Sequence, residues 1–202
     1  MAVTKIDITN RALVLVGSNK IASFTDSSTE ANVADELYEE YVESILTRSR
    51  WDFATEQQQL SLLTDAPTGR YEYAYQMPTS PAVIQIHTVT VNDFPIQYER
   101  YGNKIFVNGY GSNSVLVMDY IFRPDESTFP PYFRHALIYK LASAFAGSIA
   151  RDAALVSQFD TLAERQILIA RNTESQESTS NRLNTDKCLT NRCSTRIGKI
   201  GS

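Results

Sequence analysis

Every aromatic residue of this 202-residue chain, 9 Phe, 11 Tyr and the single Trp, lies at or before Phe159, and Asp160 to Ser202 hold none. Large rings supply much of the area that a core buries, so this break separates a body that can build a core from a remainder that mostly cannot. Asp160 to Arg171 still read as the end of a helix. From Asn172 the sequence is rich in Ser, Thr and Asn, and after Ser180 its charges turn basic: Arg182, Lys187, Arg192, Arg196 and Lys199 against the acid Asp186. Ordering such a segment costs roughly 1–2 kcal/mol per residue in backbone entropy alone. Leu183, Leu189, Ile197 and Ile200 are isolated apolar anchors that cannot offset that cost by themselves. Residues 172–202 are therefore expected to form an extended tail that orders only on a partner, with these four aliphatics and five basic residues as its contacts. A solvated terminus with no role is the alternative.

Charge narrows the class. The net charge is −4 and the pI about 5.2, with the acidity carried by the body. A free nucleic-acid binder needs a basic face to displace counterions, so that class is disfavoured. No apolar run approaches the ~20 residues of a membrane span, and no membrane insertion is expected. MAVTKIDITNR lacks a basic region followed by a long apolar one, so no secretory signal is expected. Cys188 and Cys193 are both in the tail. One C-x4-C pair without a nearby His is at best half a zinc site, and two free thiols suit a reducing cytoplasm.

The body reads as helices flanking strands. Ile8, Ala12, Leu15 and Val16 suggest a first helix, capped by Thr9 or Asp7 and ended by Gly17. Ser27 and Glu30 form a capping-box pattern for a second helix along Ala34, Leu37, Tyr38, Tyr41, Val42, Ile45 and Leu46. Its first half is crowded with acids and its end carries Arg48 and Arg50, the order that suits the helix dipole. After Trp51 the period changes: Phe53–Leu63 reads as a strand, Tyr71, Tyr73 and Tyr75 alternate on one strand face, and Val83–Val91, Ile96–Tyr101, Ile105–Asn108 and Val115–Phe122 follow. Short strands separated by Asn, Asp and Gly predict an antiparallel sheet or small barrel. Pro130-Pro131 fit a helix first turn. Phe133, Leu137, Leu141, Phe145 and Ile149 then form a stripe, and Asp152 caps a fourth helix through Leu155, Phe159, Leu162, Ala163, Gln166 and Ile169. The expected fold is α+β: a discontinuous antiparallel helical bundle from residues 4–50 and 130–171, with an inserted antiparallel β domain at 51–129.

Catalytic signatures are absent from the sequence. There is no G-x-S-x-G, Walker-A or H-E-x-x-H pattern. His87 falls in an alternating strand and His135 beside Arg134 on a helix, and a lone strand His is more often a sheet-face residue than a base. The loop at 108–113 lies between strands and cannot aim a helix N-terminus at phosphate. Asp35, Glu36, Glu39, Glu40 and Glu43 could suggest metal, but carboxylates at this helical density usually form a solvated face. Alternatively that face lines a channel or meets a basic partner. No cofactor is expected.

One arrangement carries a resemblance. The acidic helix ends in an Arg-rich turn with Trp51-x-Phe53, followed by a strand with a polar start and a Leu-rich end. Tyr73-x-Tyr75-x-x-Pro78 comes next, then the sheet. Finally Arg123-Pro124, Pro130-Pro131 and Phe133-Arg134-x-Ala136-Leu137 open a small-residue-rich helix. In this order, over residues 5 to 172, the chain resembles the tail tubular protein A family, the head-to-tail adaptors (connectors) of short-tailed bacteriophages. The resemblance implies a virion tail component and no enzyme. It implies a homo-oligomeric ring of twelve copies docked under the portal protein, with a tail nozzle protein, and sometimes fibres, attached below. Double-stranded DNA would pass through its channel without sequence recognition, and assembly would occur in the host cytoplasm. Asp35, Glu36, Glu39, Glu40 and Glu43 are then candidates to line the channel, and the tail residues candidates to bind the portal or a neighbouring subunit. A stand-alone α+β regulatory or ligand-binding domain is the alternative, and a small enzyme using His87 or His135 a third.

Overall fold

The computed structural model describes residues 3–65 and 67–177. Among the described residues, four α-helices and two four-stranded antiparallel sheets make an α+β fold. The nine expected tail anchors, and both cysteines, lie outside the described residues.

Helix α1 (Lys5–Val16) starts one turn before its expected caps. Thr4 Oγ1 accepts the Asp7 N–H at 3.2 Å and the Asp7 carboxylate accepts the Thr4 N–H at 3.0 Å, a reciprocal box that satisfies two orphan donors. Gly17 ends the helix as expected, in the left-handed conformation (φ 80) that lets its N–H return to Val14. Ile8, Ala12 and Leu13 are buried, whereas Leu15, expected inward, is 42% exposed. Helix α2 (Thr29–Leu46) is capped by Ser28 rather than Ser27, with Oγ accepting the Ala31 N–H at 3.2 Å. Its inner face is Ala31, Ala34, Tyr38, Val42, Ile45 and Leu46, at the spacing read from the sequence.

Helix α3 (Pro131–Phe145) begins at the proline pair as expected and buries Phe133, Leu137, Leu141 and Phe145. One π turn, Ala146–Ala150, closes at Arg151 (φ 54). Asp152 then accepts the N–H groups of Ala154 and Leu155, capping helix α4 (Ala153–Glu177) as predicted. Helix α4 continues past Arg171 to Glu177, so residues 172–177 belong to it rather than to an extended tail. Its inner line is Phe159, Ala163, Ile167, Ala170 and Glu174, while Ile169, expected inward, is 44% exposed. Helix α3 packs on α1, α2 and α4, and helices from both sides of the strands share one core, to which Trp51, Ala54 and Ile121 also belong.

Strands β1 (Thr55–Gln59), β2 (Ser61–Leu62), β3 (Tyr73–Gln76), β4 (Gln85–Val91), β5 (Phe94–Pro95), β6 (Glu99–Tyr101), β7 (Lys104–Val107) and β8 (Leu116–Ile121) form sheets in the orders β1-β8-β4-β5 and β2-β3-β7-β6. The single run expected from Phe53 to Leu63 is divided. Phe53 lies in a 3-10 turn, Asp52–Ala54, and the chain changes sheets at Leu60. Leu60 is buried and its N–H donates to the Leu116 carbonyl at 2.8 Å. Between the sheets lies a second core of Leu60, Tyr75, Met77, Val89, Ile105, Met118 and Tyr120, among others. Tyr73 and Tyr75 pack towards it, but Tyr71 precedes the strand and packs instead on Tyr101 and Phe106, so the three rings do not share a face. A register shift between Ile86 and Thr88 places a bulge at His87. Ile86 and Val89 therefore both face the second core, where strict alternation would oppose them.

Two aromatic anchors fix the ends of this architecture. Trp51 is fully buried, its Nε1–H donates to the Ile45 carbonyl at 3.0 Å, and its ring meets Phe133 edge-to-face at 5.3 Å. At the far end, the Tyr75 hydroxyl lies 3.1 Å from the carbonyls of Tyr110 and Gly111. Gly111 is tied to that position because a Cβ there would sit 2.6 Å from the Tyr73 ring.

Candidate interaction surfaces

The junction between helices and strands is held by charge as well as rings. Arg123, just after β8, donates to Glu39 at 3.0 Å and Glu126 at 2.5 Å, and stacks its guanidinium over Phe129. Lys5 reaches Glu39 at 3.3 Å and Asp35 at 4.0 Å. Burial opposes ionisation of Glu39, but Arg123 and then Lys5 hold its carboxyl below the usual range. Glu174, only 5% exposed, accepts the Asp52 N–H at 2.5 Å and the Tyr132 hydroxyl. Nothing in the sequence marked Glu174, because it falls in the stretch whose composition reads as tail.

Of the six acids of α2, Glu30 lies in the first turn and the other five divide into two strips. Asp35 and Glu39 turn towards Lys5 and the junction. Glu36, Glu40 and Glu43 are exposed and, among the described residues, make no ion pair. Their spacing of four and three residues puts them on one helix face. This strip is a row of like charge pointing into solvent, able to repel phosphate or attract a basic partner.

A different surface lies on the outer side of the second sheet. The loop before β3 and the strands β6 and β7 enclose an open cleft of about 550 Å³ lined by Leu63, Ala74, Tyr71, Tyr101 and Phe106, with Arg70, Lys104 and Asp65 among its polar groups. Tyr101 and Phe106 meet edge-to-face at 5.5 Å, and Tyr71 completes the trio at 5.8 Å from Phe106. The Arg70 guanidinium lies 5.1 Å over the Tyr71 ring and 3.3 Å from the Tyr101 hydroxyl. Tyr101 remains 51% exposed. An apolar floor with two cations at its rim can seat an aromatic or aliphatic group that carries a neighbouring carboxylate.

The histidines are not brought together. His135 is exposed on α3. His87 is half-buried at the bulge beside Arg50 and Asp119, and its Nε2 has no hydrogen-bond partner among the described residues. Burial, then Arg50, push its pKa below 6.5, with Asp119 opposing. Among the described residues no group of three or more His, Cys, Asp or Glu is placed to hold a metal ion, and no helix is long and apolar enough to cross a membrane. Neither a family model nor a curated protein sequence matches the chain.

Proposed function

We propose that this protein is a structural head-to-tail adaptor of a short-tailed phage virion, docked under the portal ring and forming part of the DNA channel. The observation that carries the reading is the unpaired strip Glu36, Glu40 and Glu43 on a helix where Asp35 and Glu39 are held by Lys5 and Arg123. A channel wall that must let DNA pass requires like charge, because phosphate contacts would otherwise dominate affinity and retain the genome. On this reading the helical part is a discontinuous antiparallel bundle with an inserted β domain, and the face opposite the portal attaches the tail nozzle. It has no catalytic role and no cofactor. The segment beyond α4 docks on the portal or a neighbouring subunit. Its Arg182, Lys187, Arg192, Arg196 and Lys199 steer it to an acidic groove, and Leu183, Leu189, Ile197 and Ile200 supply the affinity. Repetition of a modest contact around a ring of twelve copies makes the attachment strong.

The test is the mass in solution of the full chain, alone and mixed with a portal protein of a short-tailed phage. The adaptor reading predicts a ring-sized complex with the portal. A chain that keeps its own mass in the mixture contradicts it. A stand-alone ligand-binding domain is the second reading, supported by the cleft of about 550 Å³. It predicts that unchanged mass together with a saturable small ligand.

A further inference from the structure

The most exposed large apolar side chain among the described residues is Phe94, at 74%. It follows a two-residue turn in which Asn92 (φ 49) and Asp93 (φ 66) are both left-handed, the geometry of a tight hairpin with a fixed twist. The ring is therefore presented by a short, conformationally defined element, next to the Asp93 carboxylate. Phe94 opens β5, an edge strand of its sheet, and Pro95 removes the next backbone donor. Proline at that edge disfavours association by strand addition and leaves the side chain as the available contact.

Its chemical complement lies elsewhere on the same protein. The cleft of Tyr71, Tyr101 and Phe106 offers aromatic edges and faces to a ring, and Arg70 and Lys104 offer cations to a carboxylate. Its volume of about 550 Å³ leaves room for a phenyl group and its neighbour. Residues 92–94 are not among those lining it, so the hairpin does not fill the cleft of its own molecule. We propose that the Asp93–Phe94 hairpin of one copy inserts into the Tyr71–Tyr101–Phe106 cleft of a second copy, a head-to-tail contact in which Asp93 meets Arg70 and Lys104. Where hairpin and cleft engage different neighbours the contact is heterologous and propagates into a ring if its rotation closes, whereas reciprocal exchange between two copies would stop at a twofold dimer. A buried ring removes roughly 150–250 Å² and serves as the anchor of the interface. The inference rests on the ring reading above and names the residues through which neighbours would meet.

The decisive experiment replaces Phe94 by photoreactive p-benzoylphenylalanine in the full-length chain and maps intermolecular adducts. The expected adducts fall within residues 63–71 or 101–106 of the second copy. Adducts elsewhere, or none up to the solubility limit, overturn the contact. In parallel, Phe94→Ala and the double variant Tyr101→Ala/Lys104→Glu should each weaken self-association about 30-fold. An equimolar mixture of the two should form a one-to-one complex, since one intact hairpin and one intact cleft remain. Failure of the mixture to associate also overturns it. Phe94→Ala removes an exposed ring, so its melting temperature should match the parent and exclude misfolding as the cause. Portal binding measured on the same samples separates the outcomes. Adducts outside the cleft with portal binding retained sink the contact alone, whereas cleft adducts without portal binding sink the adaptor reading.

Discussion

The helical and strand halves use charge and aromatic rings in opposite ways. In the helical half the rings are inside: Trp51, Phe53, Phe129 and Phe133 interlock at centroid distances of 4.9–6.2 Å. Four of its cations, Lys5, Arg48, Arg123 and Lys140, are each held on a carboxylate. The strand half instead turns Tyr101 and Phe94 outwards and leaves Arg70 and Lys104 at the rim of a cleft. The difference separates a body held by interior rings and ion pairs from sheets that leave aromatic rings exposed at their surface. The acidic strip of α2 departs from this pattern, since Glu36, Glu40 and Glu43 make no ion pair among the described residues and put three like charges on one helix face.

The sharpest test of that division is Trp51→Ala. The ring is fully buried where the halves meet, and its loss empties the space packed against Phe53 and Phe133 and removes one of the donors to the Ile45 carbonyl, so a cost of about 3–5 kcal/mol is expected in denaturant unfolding. A loss below roughly 1 kcal/mol would mean that the two halves are not joined there. Next in size is Glu174→Ala. It removes the acceptor of the Asp52 N–H and of the Tyr132 hydroxyl, and should cost about 1–3 kcal/mol. An unchanged midpoint would show that α4 beyond Arg171 contributes nothing to the body.

Within the strand half, Tyr120 hydrogen-bonds Glu56 and Gln58 from a buried position, and burial, then the Glu56 bond, push its hydroxyl pKa up to about 12. Tyr120→Phe should cost about 0.5–1.5 kcal/mol. A smaller change than an exposed-site control would show that the second core does not depend on its polar rim. The pH dependence separates the halves again. His87 has a folded pKa below its unfolded 6.5, so the unfolded chain binds more protons as pH falls below that value and stability declines with falling pH. In the helical half, Arg48 holds Glu164 below 4.5 against burial, with Lys140 assisting, and that contribution persists until lower pH. His87→Gln should flatten the first decline and leave the second. Equal slopes in parent and variant would remove His87 as its source.

Local signals were legible and long-range ones were not. Gly17, Pro130-Pro131 and Asp152 mark helix ends through their own backbone or side-chain chemistry, and each does so in the structure. Thr4 and Ser28 were missed because Asp7, Thr9 and Ser27 offer equally good caps within a residue or a turn, and only the fold chooses. The bulge at His87 and the sheet change at Leu60 depend on partner strands far away in sequence, which strict alternation ignores. Glu174 sat in polar sequence whose helicity comes from burial of one face, not from composition. For the surfaces, the acidic helix was visible as a cluster, but its division into paired and unpaired strips required Lys5 and Arg123. The cleft left no signal, since Tyr71 and Tyr101 lie 30 positions apart and meet through a hairpin.

On the proposed reading Glu36, Glu40 and Glu43 face passing DNA, and electron cryo-microscopy of the chain assembled with a portal protein is the deciding measurement. Their carboxylates should line the lumen wall, and their joint reversal to Lys should slow genome delivery while the ring still assembles. A ring that places them on its outer surface, or a reversed variant that delivers DNA at the parental rate, would contradict it.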